Sequence, residues 1–106
     1  MNDLQPLLSP RSIAILGASA DFTKLNGRPL KHLLDKGYAG KIYPVNPKYP
    51  AISDITCYAN FAAIPGPVDL AIIALPAREV AAALREAGAH GVKAAIVFSS
   101  GFSETG

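Results

Sequence analysis

Three short stretches carry the residue types from which this chain could build an anion site. The first is Gly17-Ala18-Ser19-Ala20, placed directly after the apolar run Ser12-Ile13-Ala14-Ile15-Leu16. Glycine lets a backbone approach an anion, and a helix opening just downstream offers free N–H groups and the positive end of its dipole. Within the loop from Gly17 to Lys24, Ser19 and Thr23 add hydroxyl donors and Lys24 a cation. A lone glycine can equally mark a tight exit from a strand and nothing more. In the second stretch Asn46 stands between Val45 and Pro47, with Lys41 and Lys48 flanking it. NAD sites place Asp or Glu at the end of the second strand to hold ribose hydroxyls. A carboxylate there repels a ribose phosphate, whereas Asn with Lys nearby accepts one, which favours NADP or coenzyme A over NAD. The third stretch is Ser99-Ser100-Gly101, whose hydroxyls serve either a turn or a ligand.

Other chemistries lack their parts. Gly17-Ala18-Ser19-Ala20-Asp21-Phe22 supplies one glycine where the dinucleotide fingerprint G-x-G-x-x-G wants three, and a Walker A loop is absent. Ser99, Ser100 and Ser103 do not form G-x-S-x-G. His32 and His90 lie far apart with no assigned acid or nucleophile, and both read as surface histidines. Cys57 is the single cysteine, without Cys or His at metal-ligand spacing, so it reads as a small hydrophobe. No catalytic residue and no metal ligand is assigned.

These loops need elements to hold them. Ser12 to Leu16 reads as a strand covered on both faces. Leu30, Leu33 and Leu34 at i, i+3 and i+4 predict a helix that starts near Asn26 to Arg28, holds Pro29 in its first turn and stops at Gly37. Lys41 to Val45 is a second strand, followed by a proline-bearing extended loop to Pro50. Between Ala51 and Pro67 the pattern suggests a short strand near Thr56 to Tyr58 and a helical turn capped by Asn60. Val68 to Leu75 is a strand stopped by Pro76. Ala77 to about Ala89 is a helix with Val80, Leu84 and Ala87 on its apolar face, and Ala94 to Phe98 is the last strand. Strand and helix alternating in this way predict an α/β, Rossmann-like open parallel sheet with helices on both faces. Ligands of such sheets bind beyond the carboxyl ends of the strands, which selects Gly17 to Lys24, Asn46 to Pro50, Pro76-Ala77 and Ser99 to Phe102.

With 106 residues, half of them hydrophobic, the chain is expected to form one domain over 1–106. Its net charge of +2 comes from scattered Lys and Arg, without the basic stripe that nucleic acid would require. The N-terminus lacks the pattern of a signal peptide, and the apolar runs are too short to span a bilayer. A reducing cytoplasm is the expected setting, with no membrane partner.

Four pieces, in order, resemble the N-terminal CoA-binding domain of NDP-forming (ADP-forming) acyl-CoA synthetases. They are Leu8 to Ser19, Gly40 to Pro47, Ile64 to Ile72 and Ser99 to Gly106. The family is similar in fold to the succinyl-CoA synthetase α subunit, and its enzymes join an acid to CoA using ATP, through an acyl phosphate and a phosphohistidine. The resemblance implies that this chain supplies CoA binding only. Gly17, Ala18 and Ser19 would meet CoA phosphates within the loop that also holds Ala20 and Lys24, and Lys41 would reach a phosphate. Val45, Asn46 and Pro47 would border the adenosine. Pro76 with Ser99, Ser100 and Gly101 would guide the pantetheine. ATP or ADP, Mg and the phosphohistidine belong to downstream domains or a partner subunit. Relatives continue past the position of Gly106 with another helix and strand, so the resemblance implies a fragment with an exposed sheet edge. Ile52-Ser53-Asp54-Ile55 departs from relatives that carry a glycine after the second-strand loop. Other readings are the regulatory region of a fused protein acetyltransferase, a free-standing CoA- or nucleotide-binding protein, and an NADP-dependent oxidoreductase domain.

Overall fold

The computed structural model describes residues 9–98. In chain order the elements are β1 (Ser12–Leu16), α1 (Arg28–Asp35), β2 (Lys41–Val45), β3 (Ala51–Ile52), β4 (Ile55–Thr56), β5 (Leu70–Ile73), α2 (Ala77–Ala89) and β6 (Ala94–Val97). The main sheet runs β2-β1-β5-β6 with every pair parallel. All five residues of β1 are buried, as an apolar run between two neighbours and two covered faces requires.

Alternation along β1 divides the core. Ile13 and Ile15 join Leu30 of α1 and Leu70 in one cluster. Ala14 and Leu16 join Tyr43, Val45, Ala71 and Ile73, with Ala83 and Ala87 of α2, in the other. Helices therefore cover both faces, as expected. Ala14 pairs with Ala71 in register, and with Ala83 and Ala87 above them the small side chains let α2 lie close to the sheet. On the other face Leu30 is fully buried, a gain of about 1.5–3 kcal/mol over leaving it in water.

Several expectations are corrected by local geometry. The strand expected over Val68 to Leu75 is confined to Leu70–Ile73. Before it, the Ser12 hydroxyl donates to Pro67 O (2.9 Å) and accepts from Asp69 N (3.0 Å), so a side chain replaces the ladder. After it, Ala74 N–H still donates to Leu16 O at 2.8 Å before the chain turns ahead of Pro76. Leu84, expected on the buried face of α2, is 41% exposed, while Ala83 and Ala87 are buried and Val80 is half-buried. At 3.6 residues per turn the last three lie within roughly 60° of arc, and Leu84 falls about 40° beyond its edge.

The segment after β2 is a turn, not an extended loop. Asn46 Oδ1 accepts from Lys48 N at 2.9 Å, and Tyr49 N–H returns to Asn46 O at 3.3 Å. β3 and β4 then pair as a two-residue hairpin in which Ser53 (φ 50°) and Asp54 (φ 66°) are both left-handed, the arrangement that Asn-Gly would favour. The strand expected near Thr56 to Tyr58 is shared between β4 and a parallel bridge from Tyr58 to Val45. Asn60 caps the next turn as expected, its Oδ1 accepting from Ala63 N at 3.0 Å. Among the described residues β2 and β6 are the edge strands of the main sheet, and on β6 Ile96 and Val97 are 41% and 37% exposed. Among the described residues no helix is long and apolar enough to cross a membrane.

Candidate functional site

Strand order reverses between β1 and β5, because the chain leaves β1 for β2 on one side and returns for β5 on the other. The carboxyl ends at such a switch point form the crevice in which ligands of open parallel sheets bind. Gly17 occupies it. Its N–H donates to Val45 O at 2.8 Å, and its φ of +86° is left-handed. A Cβ there would overlap the Ala74 carbonyl oxygen and lie 2.7 Å from Leu75 Cδ2. The glycine is thus required both for the exit from β1 and for the close crossing to β5.

The loop that follows is held by its own side chains. Ser19 is buried, its Oγ accepting from Asp21 N at 3.0 Å and lying 3.4 Å from Tyr49 Oη. The Asp21 carboxylate accepts from Thr23 Oγ1 (2.6 Å) and Thr23 N (3.0 Å), and these bonds hold it below the usual carboxylate range. Both hydroxyls expected to serve a ligand are therefore already engaged inside the loop. Ala20 and Lys24 are exposed on its outer side. Gly27 closes the loop against Asp21, whose carbonyl oxygen a Cβ would overlap.

Asn46 joins this loop to the turn after β2. Its Nδ2 donates to Ala18 O at 2.8 Å while its Oδ1 holds Lys48 N. Pro47 and Lys48 are exposed, and Lys48 Nζ stands 5.6 Å from the centre of the Tyr49 ring. The Ser19 hydrogen bond holds the Tyr49 phenol below its ordinary value against partial burial, with the Ala20 backbone and the Lys48 and Lys24 charges adding to the effect. The two loops therefore form one surface with cations at its rim.

Beside them opens a cleft of about 570 Å³, floored by Leu16, Gly17, Val45 and Phe61 and bordered by Asn46, Pro47 and Asn60. Arg78, Glu79 and Glu86 of α2 form its charged wall. Pro76 lines a second hollow of about 250 Å³ with Leu25, Asn26, Ala74 and Phe98. Gly17 to Ala20, Lys24 and Val45 to Pro47 are thus brought together, and Pro76 adjoins them. Lys41 is not: it opens β2 opposite Ser12, at the amino end of the sheet, and four extended residues put it about 13 Å from Val45. Of the two lysines that flank Asn46, Lys48 is the one at the carboxyl ends. Ser99, Ser100 and Gly101 lie outside the described residues. Sequence reasoning did not assign Asn26, Tyr49 or Arg78 to the site. The Asn26-Gly27 pair signalled a helix start, and nothing local indicates that the Asn26 amide crosses to Gly17 O at 2.8 Å.

Cys57 is 7% exposed, its Sγ facing Asn46 O at 3.5 Å, and burial pushes its thiol up from the ordinary value. The group stays neutral well past neutral pH, so iodoacetamide at pH 8 is expected to label the native chain at least tenfold more slowly than the chain unfolded in urea. Mass-spectrometric labelling kinetics check this; equal rates would show an open thiol. Because the folded pKa is raised, the thiol's contribution to stability is full below the unfolded pKa and declines as pH rises through the folded one.

The CoA binding domain family matches residues 11–105. The chain is 43% identical over 104 residues to the ADP-forming acetate-CoA ligase II of Archaeoglobus fulgidus, spanning 98% of this chain and 16% of that protein. It is 42% identical to the α subunit of the ADP-forming acetate-CoA ligase I of Pyrococcus furiosus, spanning 97% of this chain and 23% of that subunit. Among solved structures it is similar to acetyl-coenzyme A synthetase 1 of Korarchaeum cryptofilum in complex with phosphate and ADP. That match has a TM-score of 0.88 at 40% identity and covers all of this chain and 23% of the other. The chain thus spans less than a quarter of the length of these relatives.

Proposed function

The chain belongs to the CoA binding domain family, and from that premise we propose that the surface built by Gly17 to Lys24 and Asn46 to Lys48 holds the nucleotide end of coenzyme A. The reading rests above all on one observation. Asn46 links a glycine-led loop to a lysine-bearing turn at the carboxyl ends of β1 and β2. A diphosphate would lie against the backbone at Gly17, Ala18 and Ser19. The adenosine would border Val45, Asn46 and Pro47 in the adjoining cleft, with Lys48 at the ribose phosphate and Lys24 at the outer rim. Pro76, with Ser99, Ser100 and Gly101, would lead the pantetheine away from the diphosphate.

The 106 residues act as one CoA-binding unit of a longer ADP-forming acyl-CoA synthetase in the cytoplasm. The acid, ATP, Mg and the phosphohistidine are handled by further domains or a partner subunit. Relatives named as α subunits support that division of labour. This chain's own part is to bind and orient CoA, and it carries no step of the ligation.

Calorimetric titration with CoA, dephospho-CoA, NADP and ADP tests the reading. CoA is expected to bind more tightly than dephospho-CoA, and Lys48→Ala is expected to weaken CoA by about tenfold while leaving dephospho-CoA within twofold. Binding of NADP without CoA would overturn it, and a Lys48→Ala effect equal for both CoA forms would remove Lys48 from the ribose phosphate.

A further inference from the structure

Two asparagine side chains act on consecutive peptide groups of the Gly17 loop from different parts of the fold. Asn26, just before α1, donates its Nδ2–H to Gly17 O at 2.8 Å. Asn46, just after β2, donates its Nδ2–H to Ala18 O at 2.8 Å. In a trans peptide the N–H points away from the C=O of the same plane, so tying these two carbonyls also aims the N–H groups of Ala18 and Ser19. Among the described residues no acceptor takes either N–H, although Ala18 is 0% and Ser19 4% exposed. Buried N–H groups without an acceptor are uncommon, and they suit a loop whose acceptor arrives with a ligand.

The geometry points to Asn26 and Asn46 as a pair of positioning residues that make the Gly17–Ser19 loop receptive to a phosphate. Two effects act together. The amides occupy carbonyl oxygens that would repel an approaching anion, and they fix the peptide planes so that a local opening of the loop, rather than a turn of the peptides, presents the donors. Asn46 adds a third tie, since its Oδ1 holds Lys48 N and so places the cation-bearing turn in the same rigid unit. Asn26 needs no contact with the ligand to do this, and Asn46 does it through the loop besides bordering the adenosine. This inference rests on the reading that CoA presents its phosphates to the loop.

The test uses the whole chain and three variants, Asn26→Leu, Asn46→Leu and Asn26→Ser, the last a small replacement too short to reach Gly17 O should the leucine variants fail to fold. Calorimetry measures CoA affinity, and amide NMR follows Ser19 N–H during titration with inorganic pyrophosphate, with Gly37 and Gly91 as remote references. Loss of one tie is expected to weaken CoA by roughly tenfold or more and to reduce the Ser19 shift induced by pyrophosphate, while the reference amides stay in place. A purely structural role would disturb the references and Ser19 alike. Wild-type affinity and an unchanged Ser19 response in the Asn26 variants, with CoA still bound by the unaltered chain, would overturn the inference alone. Failure of the unaltered chain to bind CoA or pyrophosphate would instead overturn the reading on which it rests.

Discussion

Gly17→Ala is expected to destabilise the chain by about 2–5 kcal/mol, the sum of a left-handed L-residue and a forced displacement of packed backbone. The two terms are separate. The φ of +86° disfavours any Cβ at residue 17, and the space for that Cβ is already taken by the Ala74 carbonyl oxygen and Leu75 Cδ2. Main chain cannot yield as a flexible side chain does, because Ala74 N–H is tied to Leu16 O at 2.8 Å. Against a typical total of about 5–15 kcal/mol the loss is large. Chemical unfolding followed by far-UV circular dichroism measures it. Gly88→Ala is the matched control, since its added Cβ meets nothing within 4 Å inside α2. That change is expected to be neutral or to stabilise by up to about 1 kcal/mol. Equal stability of both variants would mean that β1 and β5 do not approach each other as described.

Gly17 also shows what the linear pattern can convey. An apolar run ending in glycine is visible locally, and so are β1 and β2 as short runs bounded by breaks, and α2 by its helical period. The start of β5 was hidden because the group replacing its ladder is the Ser12 hydroxyl, 55 residues before Pro67. The hairpin at Ser53-Asp54 was hidden because neither residue is glycine, yet both adopt positive φ. Lys41 illustrates a different failure. It is close to Asn46 in sequence, but a strand separates them, and extension carries one to each end of the sheet. Asn46 itself was identified for its missing carboxylate, whereas its observed work is done by both ends of its amide. A residue type signals which bonds it can make; only the fold determines which of them are already taken.

The same distinction governs Ser19, where two substitutions should part company. Ser19→Glu is expected to remove detectable CoA binding and to cost about 3–5 kcal/mol of stability, because a larger, charged side chain would be forced into a 4% exposed position whose hydroxyl is already bonded inside the fold. On its own that result is ambiguous, since a distorted loop and a repelled phosphate look alike. Ser19→Ala resolves it. The hydroxyl accepts Asp21 N–H at 3.0 Å and faces Tyr49 Oη at 3.4 Å, so losing it should cost about 1–2 kcal/mol of stability. Its effect on CoA should nevertheless stay within about fivefold, well short of the tenfold step that a charged hydrogen bond supplies, if the donor offered to phosphate is the Ser19 backbone N–H, as we propose. Thermal unfolding and calorimetry on the same samples separate the two quantities. A Ser19→Ala chain as stable as the unaltered one but tenfold or more weaker for CoA would move the hydroxyl out of the loop's internal network and onto the ligand.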